Sequence, residues 1–111
     1  MRSGDVVAVD FGVPQASEPG FRRPAIVITA DSVLAGRPMV VHVVPITGNT
    51  ARNLPTEVGV SAEGLSRLSA AQCHLCTVVS TSRLDHDSLG NVGPAELAQV
   101  RSVLRDLLDI P

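Results

Sequence analysis

At 111 residues the chain is long enough for one domain with a single hydrophobic core and too short for two. Apolar residues make up 44% of it and charged residues 18%, an ordinary soluble globular balance, and no run reaches the ~18 apolar residues that would span a bilayer. A net charge of −2 excludes a protein that coats nucleic acid with a broad basic face, and Phe11 and Phe21 are too few aromatics for stacking several bases.

Val6–Val9 reads as a first strand, and Pro14, Pro19 and Gly20 keep the segment that follows, as far as Arg23, a loop. Pro24–Thr29 is a continuous run rich in β-branched residues and predicts a buried strand. Asp31–Gly36 predicts a helical turn before Pro38. Met39–Thr47 predicts a third strand, in which Pro45 marks a bulge or an edge position. Thr56–Val60 predicts a fourth. Ser61–Leu68 is ambiguous, with a short helical turn ending near Gly64 as one reading. Cys73–Ser80 reads as a strand and Leu89–Val92 as a short last one.

The clearest element is terminal. Gly93 caps it, Pro94 stands where a first-turn Pro is tolerated, and Glu96 complements the positive end of the helix dipole. Leu97, Val100, Leu104, Leu107 and Leu108 follow at helical spacing, with Arg101, Arg105 and Asp106 turned outward. Many short strands before one helix imply a mainly β (α+β) fold: a small, strongly bent antiparallel sheet packed on a C-terminal helix, in a single domain 1–111. The opening Met1-Arg-Ser-Gly-Asp5 has no apolar signal core, so the expected location is the cytoplasm.

Two polar segments carry the chemistry. Asp10–Thr29, DFGVPQASEPGFRRPAIVIT, joins two apolar runs by a loop bearing Glu18, Arg22 and Arg23. Val43–Thr50, VVPITGNT, is an apolar run that stops in hydroxyl, amide and Gly. Charged groups at a strand edge beside a loop point to chemistry on a phosphate, and the two segments point to one site. Pro24 biases Arg23 toward extended backbone, and an Arg, which does not titrate usefully, suits phosphate binding and charge stabilisation. Glu18 can take a proton if its pKa is raised, and the Thr47 hydroxyl can donate to a phosphate oxygen. Plainer readings stand beside these: a solvated strand-end Arg, a loop carboxylate paired with Arg22, and a Thr in a turn with Gly48 and Asn49. All nine basic residues are Arg, which suits bidentate phosphate contacts and equally fits a codon habit.

Cys73-x-x-Cys76 lacks the second ligand pair of a zinc site. On a strand, its odd spacing would turn the two thiols to opposite faces. Reduced thiols are expected, with no metal and no cofactor. His42 and His86 have no partner pattern and read as structural or solvated.

RSGDVVAVDFG, SEPGFRRPAIVIT, VVPIT, LPTEVGV and the terminal helix, in that order, resemble the MazF/PemK/Kid toxins, sequence-selective endoribonucleases of type II toxin–antitoxin pairs. The resemblance covers nearly the whole chain. It implies an SH3-like barrel of the CcdB/PemK kind, with Arg23, Thr47 and Glu18 as catalytic residues. It further implies metal-independent cleavage of single-stranded RNA through the 2′-OH, leaving a 2′,3′-cyclic phosphate and a 5′-OH. RNA contacts would come from Arg22, Gly48, Asn49, Arg52, His74 and Thr77. A homodimer and an antitoxin with an acidic, partly disordered tail are the implied partners. Two departures stand out. Gly48 replaces the usual Ser, and His74, Leu75, Cys76 and Thr77 replace the usual acid, Gln, apolar residue and Arg. The alternatives are a non-cleaving PemK-like binding module, and a gyrase-directed CcdB-like toxin. The second is disfavoured because the chain ends Asp109-Ile-Pro111 without the Trp-Gly-Ile those toxins need.

Overall fold

The computed structural model describes residues 1–111 except for the side chain of His86, so the reading of that histidine lies outside the described residues. A continuous apolar run builds the first strand, β1 (Asp5–Asp10), and its side chains, pointing alternately to either side, give the sheet two buried faces. Val6 joins Ile26, Val44 and Val100 on one face, while Val7 and Val9 join Val27, Val43 and Leu84 on the other. β2 (Arg22–Val27) starts two residues earlier than the apolar run suggests, because Arg22 and Arg23 pair with Asp10 and Val9 of β1. The expected helical turn is present as α1 (Asp31–Leu34), which buries Leu34.

β3 (Val40–Thr47) is the centre of the sheet. One edge pairs with β2, and the other pairs first with β6 (Thr77–Ser80) and then with β5 (Ser69–Gln72). Pro45 is therefore at neither an edge nor a bulge, contrary to expectation. It is fully buried opposite Ala25, between Val43, which faces β6, and Ile46, which faces β5. A residue without an N–H fits the point where a strand changes partner. β4 (Glu57–Val60) lies outside β5, and β7 (Leu84–Asn91) lies outside β1. The order β4-β5-β3-β2-β1-β7 makes one curled antiparallel half-barrel, as the pattern of short strands implies.

Three expectations are corrected here. Cys73–Ser80 is not one strand: a 3-10 turn at Cys73–Leu75 separates β5 from β6, and the Cys76 N–H donates to the Cys73 carbonyl at 3.1 Å. Both cysteines consequently pack on the same core instead of opposite faces. The last strand begins at Leu84 rather than Leu89, after a 3-10 turn at Thr81–Arg83. Its polar sequence conceals it because β7 is an edge strand, with register shifts against β1. The segment 61–68 forms turns, not helix.

The terminal helix, α2 (Pro94–Leu108), starts as expected. Gly93 has φ 87°, a conformation that favours glycine, and Asn91 Oδ1 accepts its N–H at 2.8 Å. The Glu96 carboxylate accepts the Ser61 N–H at 3.1 Å, tying the helix to the end of β4. Leu97, Val100 and Leu104 enter the core, but Leu107 and Leu108 do not, with 43% and 64% of their surface exposed. The helix outruns the sheet it covers. Among the described residues, no helix is long and apolar enough to cross a membrane.

Candidate nucleic-acid interface

Arg23 sits near the start of β2 and reaches over β3. Its Nη2 donates to the Ile46 carbonyl at 3.0 Å and also to Oε1 of Gln72, the last residue of β5; its Nε lies 3.4 Å from the same carbonyl. Both acceptors are neutral, and no carboxylate pairs with Arg23 among the described residues. Burial, with the Arg52 charge nearby, holds the Arg23 pKa below its ordinary value. The arrangement is a partly desolvated guanidinium with its full charge unspent, suited to receiving an anion.

Thr47 closes β3, and its Oγ1 accepts the Asn49 N–H at 3.1 Å. Asn49 Oδ1 then accepts the Ala51 N–H at 3.1 Å, so the hydroxyl and amide after VVPI build two successive turns. Because its oxygen is the acceptor, the Thr47 O–H remains available as a donor. Arg23, Thr47 and Gly48 line one open hollow of about 650 Å³, whose other wall includes Ser66, Arg67 and Ser69.

Arg52 lies at the margin, held by Glu57 at 3.0 Å. The Glu57 carboxylate, only 4% exposed, also faces the Leu54 N–H at 3.4 Å. His74 stands on the 3-10 turn after Gln72, where Nδ1 shares a 2.9 Å hydrogen bond with the Thr56 hydroxyl. Thus Arg23, Thr47 and Gly48 converge, Asn49 and Arg52 stand on the adjoining loop, and His74 flanks the strand end that holds Arg23.

Three of the other residues singled out in the sequence lie elsewhere. Glu18 is exposed and lines two further hollows, of about 270 and 520 Å³, in the company of Thr77. Neither hollow includes Arg23 or Thr47. Arg22 turns to β7 and forms an ion pair with Asp85. Sequence reasoning missed Arg67 as a lining residue of the hollow, Glu57 as the partner of Arg52, and the contact that Gln72 makes with Arg23. Gln72 reaches Arg23 only through the pairing of β5 with β3, and nothing local in Ala70-Ala-Gln-Cys73 announces it. The buried Cys73 thiol is pushed up to about 11, first by burial and then by Cys76, and burial also raises Cys76.

A curled half-barrel thus sets a guanidinium with no carboxylate partner and a threonine hydroxyl at one open hollow, groups with the chemistry to receive an anion. Residues 2–108 match the family described as PemK-like, MazF-like toxin of type II toxin-antitoxin system, and the chain belongs to it. It is 37% identical over 117 residues to the endoribonuclease MazF9 of Mycobacterium tuberculosis, covering 99% of this chain and 98% of that one. Among solved structures, MazF from Deinococcus radiodurans superposes with a TM-score of 0.82 at 27% identity, over 98% of this chain and 96% of the other. A mycobacterial endoribonuclease in complex with its cognate antitoxin gives 0.78 at 21% identity, over 100% and 97%.

Proposed function

We propose that this protein is the toxin of a type II toxin–antitoxin pair and a sequence-selective endoribonuclease that cleaves single-stranded RNA without a metal. The observation that carries the reading is the convergence of Arg23, Thr47 and Gly48 on one hollow, with Arg23 bound only by neutral acceptors. Arg23 binds the scissile phosphate and takes up the charge that grows on its equatorial oxygens as the substrate's own 2′-OH attacks. Thr47 donates its hydroxyl to a phosphate oxygen. The products are a 2′,3′-cyclic phosphate and a 5′-OH.

In this reading Glu18 is the base for the 2′-OH, delivered when the loop between β1 and β2 closes over bound RNA from the Thr77 side. Arg22, Asn49, Arg52, His74 and Thr77 contact flanking nucleotides. The active form is a homodimer, and an acidic antitoxin tail competes with RNA for the same guanidiniums. Identity to MazF9 along the whole chain supports the nuclease reading, and the relative solved with its antitoxin supports the partner.

The test is incubation of the pure protein with a long single-stranded RNA in EDTA, mapping product ends for wild type and Arg23→Ala. Discrete cuts ending in cyclic phosphate, reduced at least ~10³-fold in the variant, are the expected result. Undiminished cutting by a folded Arg23→Ala protein refutes the residue assignment, and intact RNA with wild type refutes the activity.

A further inference from the structure

The chain after β4 returns to the hollow through residues 61–68, and its placement is fixed at both ends. The Gly64 N–H donates to the Leu89 carbonyl at 2.7 Å, and the Ser69 hydroxyl donates to the Arg67 carbonyl at 3.1 Å where β5 begins. Gly64 lies so close to β7 that a side chain there would meet Leu89 at 2.7 Å. Between these anchors the Arg67 side chain extends over Gly48. A Cβ built on Gly48 would lie 2.5 Å from Arg67 Nη2, 3.1 Å from Nε and 3.2 Å from Cζ. The guanidinium thus occupies the space a side chain at position 48 would fill, on the wall facing Arg23 and Thr47.

Arg67 is exposed and makes no ion pair among the described residues, where the cations that do are Arg22 and Arg52. Glu63, the carboxylate on the same segment, does not engage it. A cation placed by its backbone, unpaired, and admitted to a phosphate-binding hollow by a missing side chain has one evident use. We propose that Arg67 is a second phosphate-binding guanidinium of the site, admitted by Gly48, which contacts an RNA phosphate next to the one at Arg23. The inference rests on the ribonuclease reading. It makes Gly48 a residue that works by leaving room, and it puts the segment 61–68 among the determinants of RNA binding.

The probe is a single-stranded RNA carrying the mapped cleavage sequence with a 2′-deoxy sugar at the scissile position, which binds without being cut. Arg67→Ala should weaken its binding roughly tenfold at low salt and lower the slope of log Kd against log salt by about 0.7, one phosphate contact fewer. Arg67→Lys should keep the slope. Gly48→Ser should displace only the flexible end of Arg67, leave the thermal midpoint unchanged, and reproduce the loss. Combining Gly48→Ser with Arg67→Ala should cost no more than either alone, since both remove one contact. Unchanged affinity and slope in Arg67→Ala, or additive losses in the pair, overturn the inference. With wild-type cleavage intact and lost in Arg23→Ala, such a result leaves the ribonuclease reading standing. A wild type that neither binds nor cuts RNA overturns both.

Discussion

Arg23 and Gln72 belong to strands that do not pair with each other, yet their side chains meet. β2 and β5 flank opposite edges of β3, and the Arg23 guanidinium crosses over the Ile46 carbonyl to reach Gln72 Oε1. The cation is therefore positioned by the sheet rather than by its own neighbours in sequence. Because both acceptors are uncharged, Arg23 is oriented without being neutralised.

That contact can be tested by changing the acceptor. Gln72→Leu keeps the buried volume and removes the oxygen, and kcat should fall about tenfold through looser placement of Arg23. Gln72→Glu should be worse, by about 10²-fold, because a carboxylate at that position pairs with the guanidinium and competes with the substrate phosphate. Steady-state cleavage of a short RNA, with thermal melts as the control for folding, separates the two. Equal effects of the two substitutions would contradict the account.

Thr47 has one role in the turn and one proposed toward the substrate, and two measurements can part them. Its oxygen accepts the Asn49 N–H, and its proton is free for the phosphate. Thr47→Ser should keep both and cost less than about threefold in kcat/KM. Thr47→Ala should lose both, with about 1 kcal/mol of stability from the turn and on the order of 10²-fold in activity. Denaturant titration measures the first and cleavage kinetics the second.

The buried Cys73 thiol makes stability depend on pH at the alkaline end. Its folded pKa is raised from 9.0 to about 11 by burial first, so the unfolded chain loses this proton before the folded protein does. The stability tied to the thiol is fully present below the unfolded value and declines as pH rises from 9 to about 11. The loss should be on the order of 2 kcal/mol, and Cys73→Ala should show a correspondingly shallower decline across the same window. Urea midpoints at pH 8 and pH 10.5 for the two proteins supply the comparison.

The helix offers a control on packing. Leu104 lies 9% exposed within the core and Leu108 lies 64% exposed beyond it, though both fit the same helical spacing. Leu104→Ala should cost about 2–4 kcal/mol, and Leu108→Ala less than about 0.5 kcal/mol when unfolding is followed on the monomer at low concentration. Similar costs would mean that the last turn of α2 packs on the core after all.

Much of this was legible because it is local. The apolar run Val6–Val9, the β-branched run after Pro24 and the Gly93-Pro94 start of α2 each reflect a local backbone preference or burial, and each lies in the predicted element, although β2 is shifted two residues toward the N-terminus. Leu107 and Leu108 misled because periodicity reports which side of a helix is apolar, not where the covering sheet ends. Cys73–Ser80 misled because eight strand-compatible residues do not reveal that the first three form a 3-10 turn and only Thr77–Ser80 pair with β3. β7 was hidden by polarity, which an edge strand with one partner tolerates.

The sequence by itself determined the family, the curled sheet with its terminal helix, and the choice of Arg23 and Thr47, because motifs and periodicity are written in residue order. Only the tertiary structure decided what surrounds them. Gln72 meets the Arg23 side chain from 49 positions further along the chain, Arg67 reaches the hollow from 44 positions further along, Arg22 is drawn away to Asp85, and Glu18 lies with Thr77 on other hollows. Those relations depend on which strands flank β3 and on what a missing side chain at Gly48 lets in. Pairing between distant segments is fixed by the burial of both sheet faces at once, and no local stretch of sequence contains that sum.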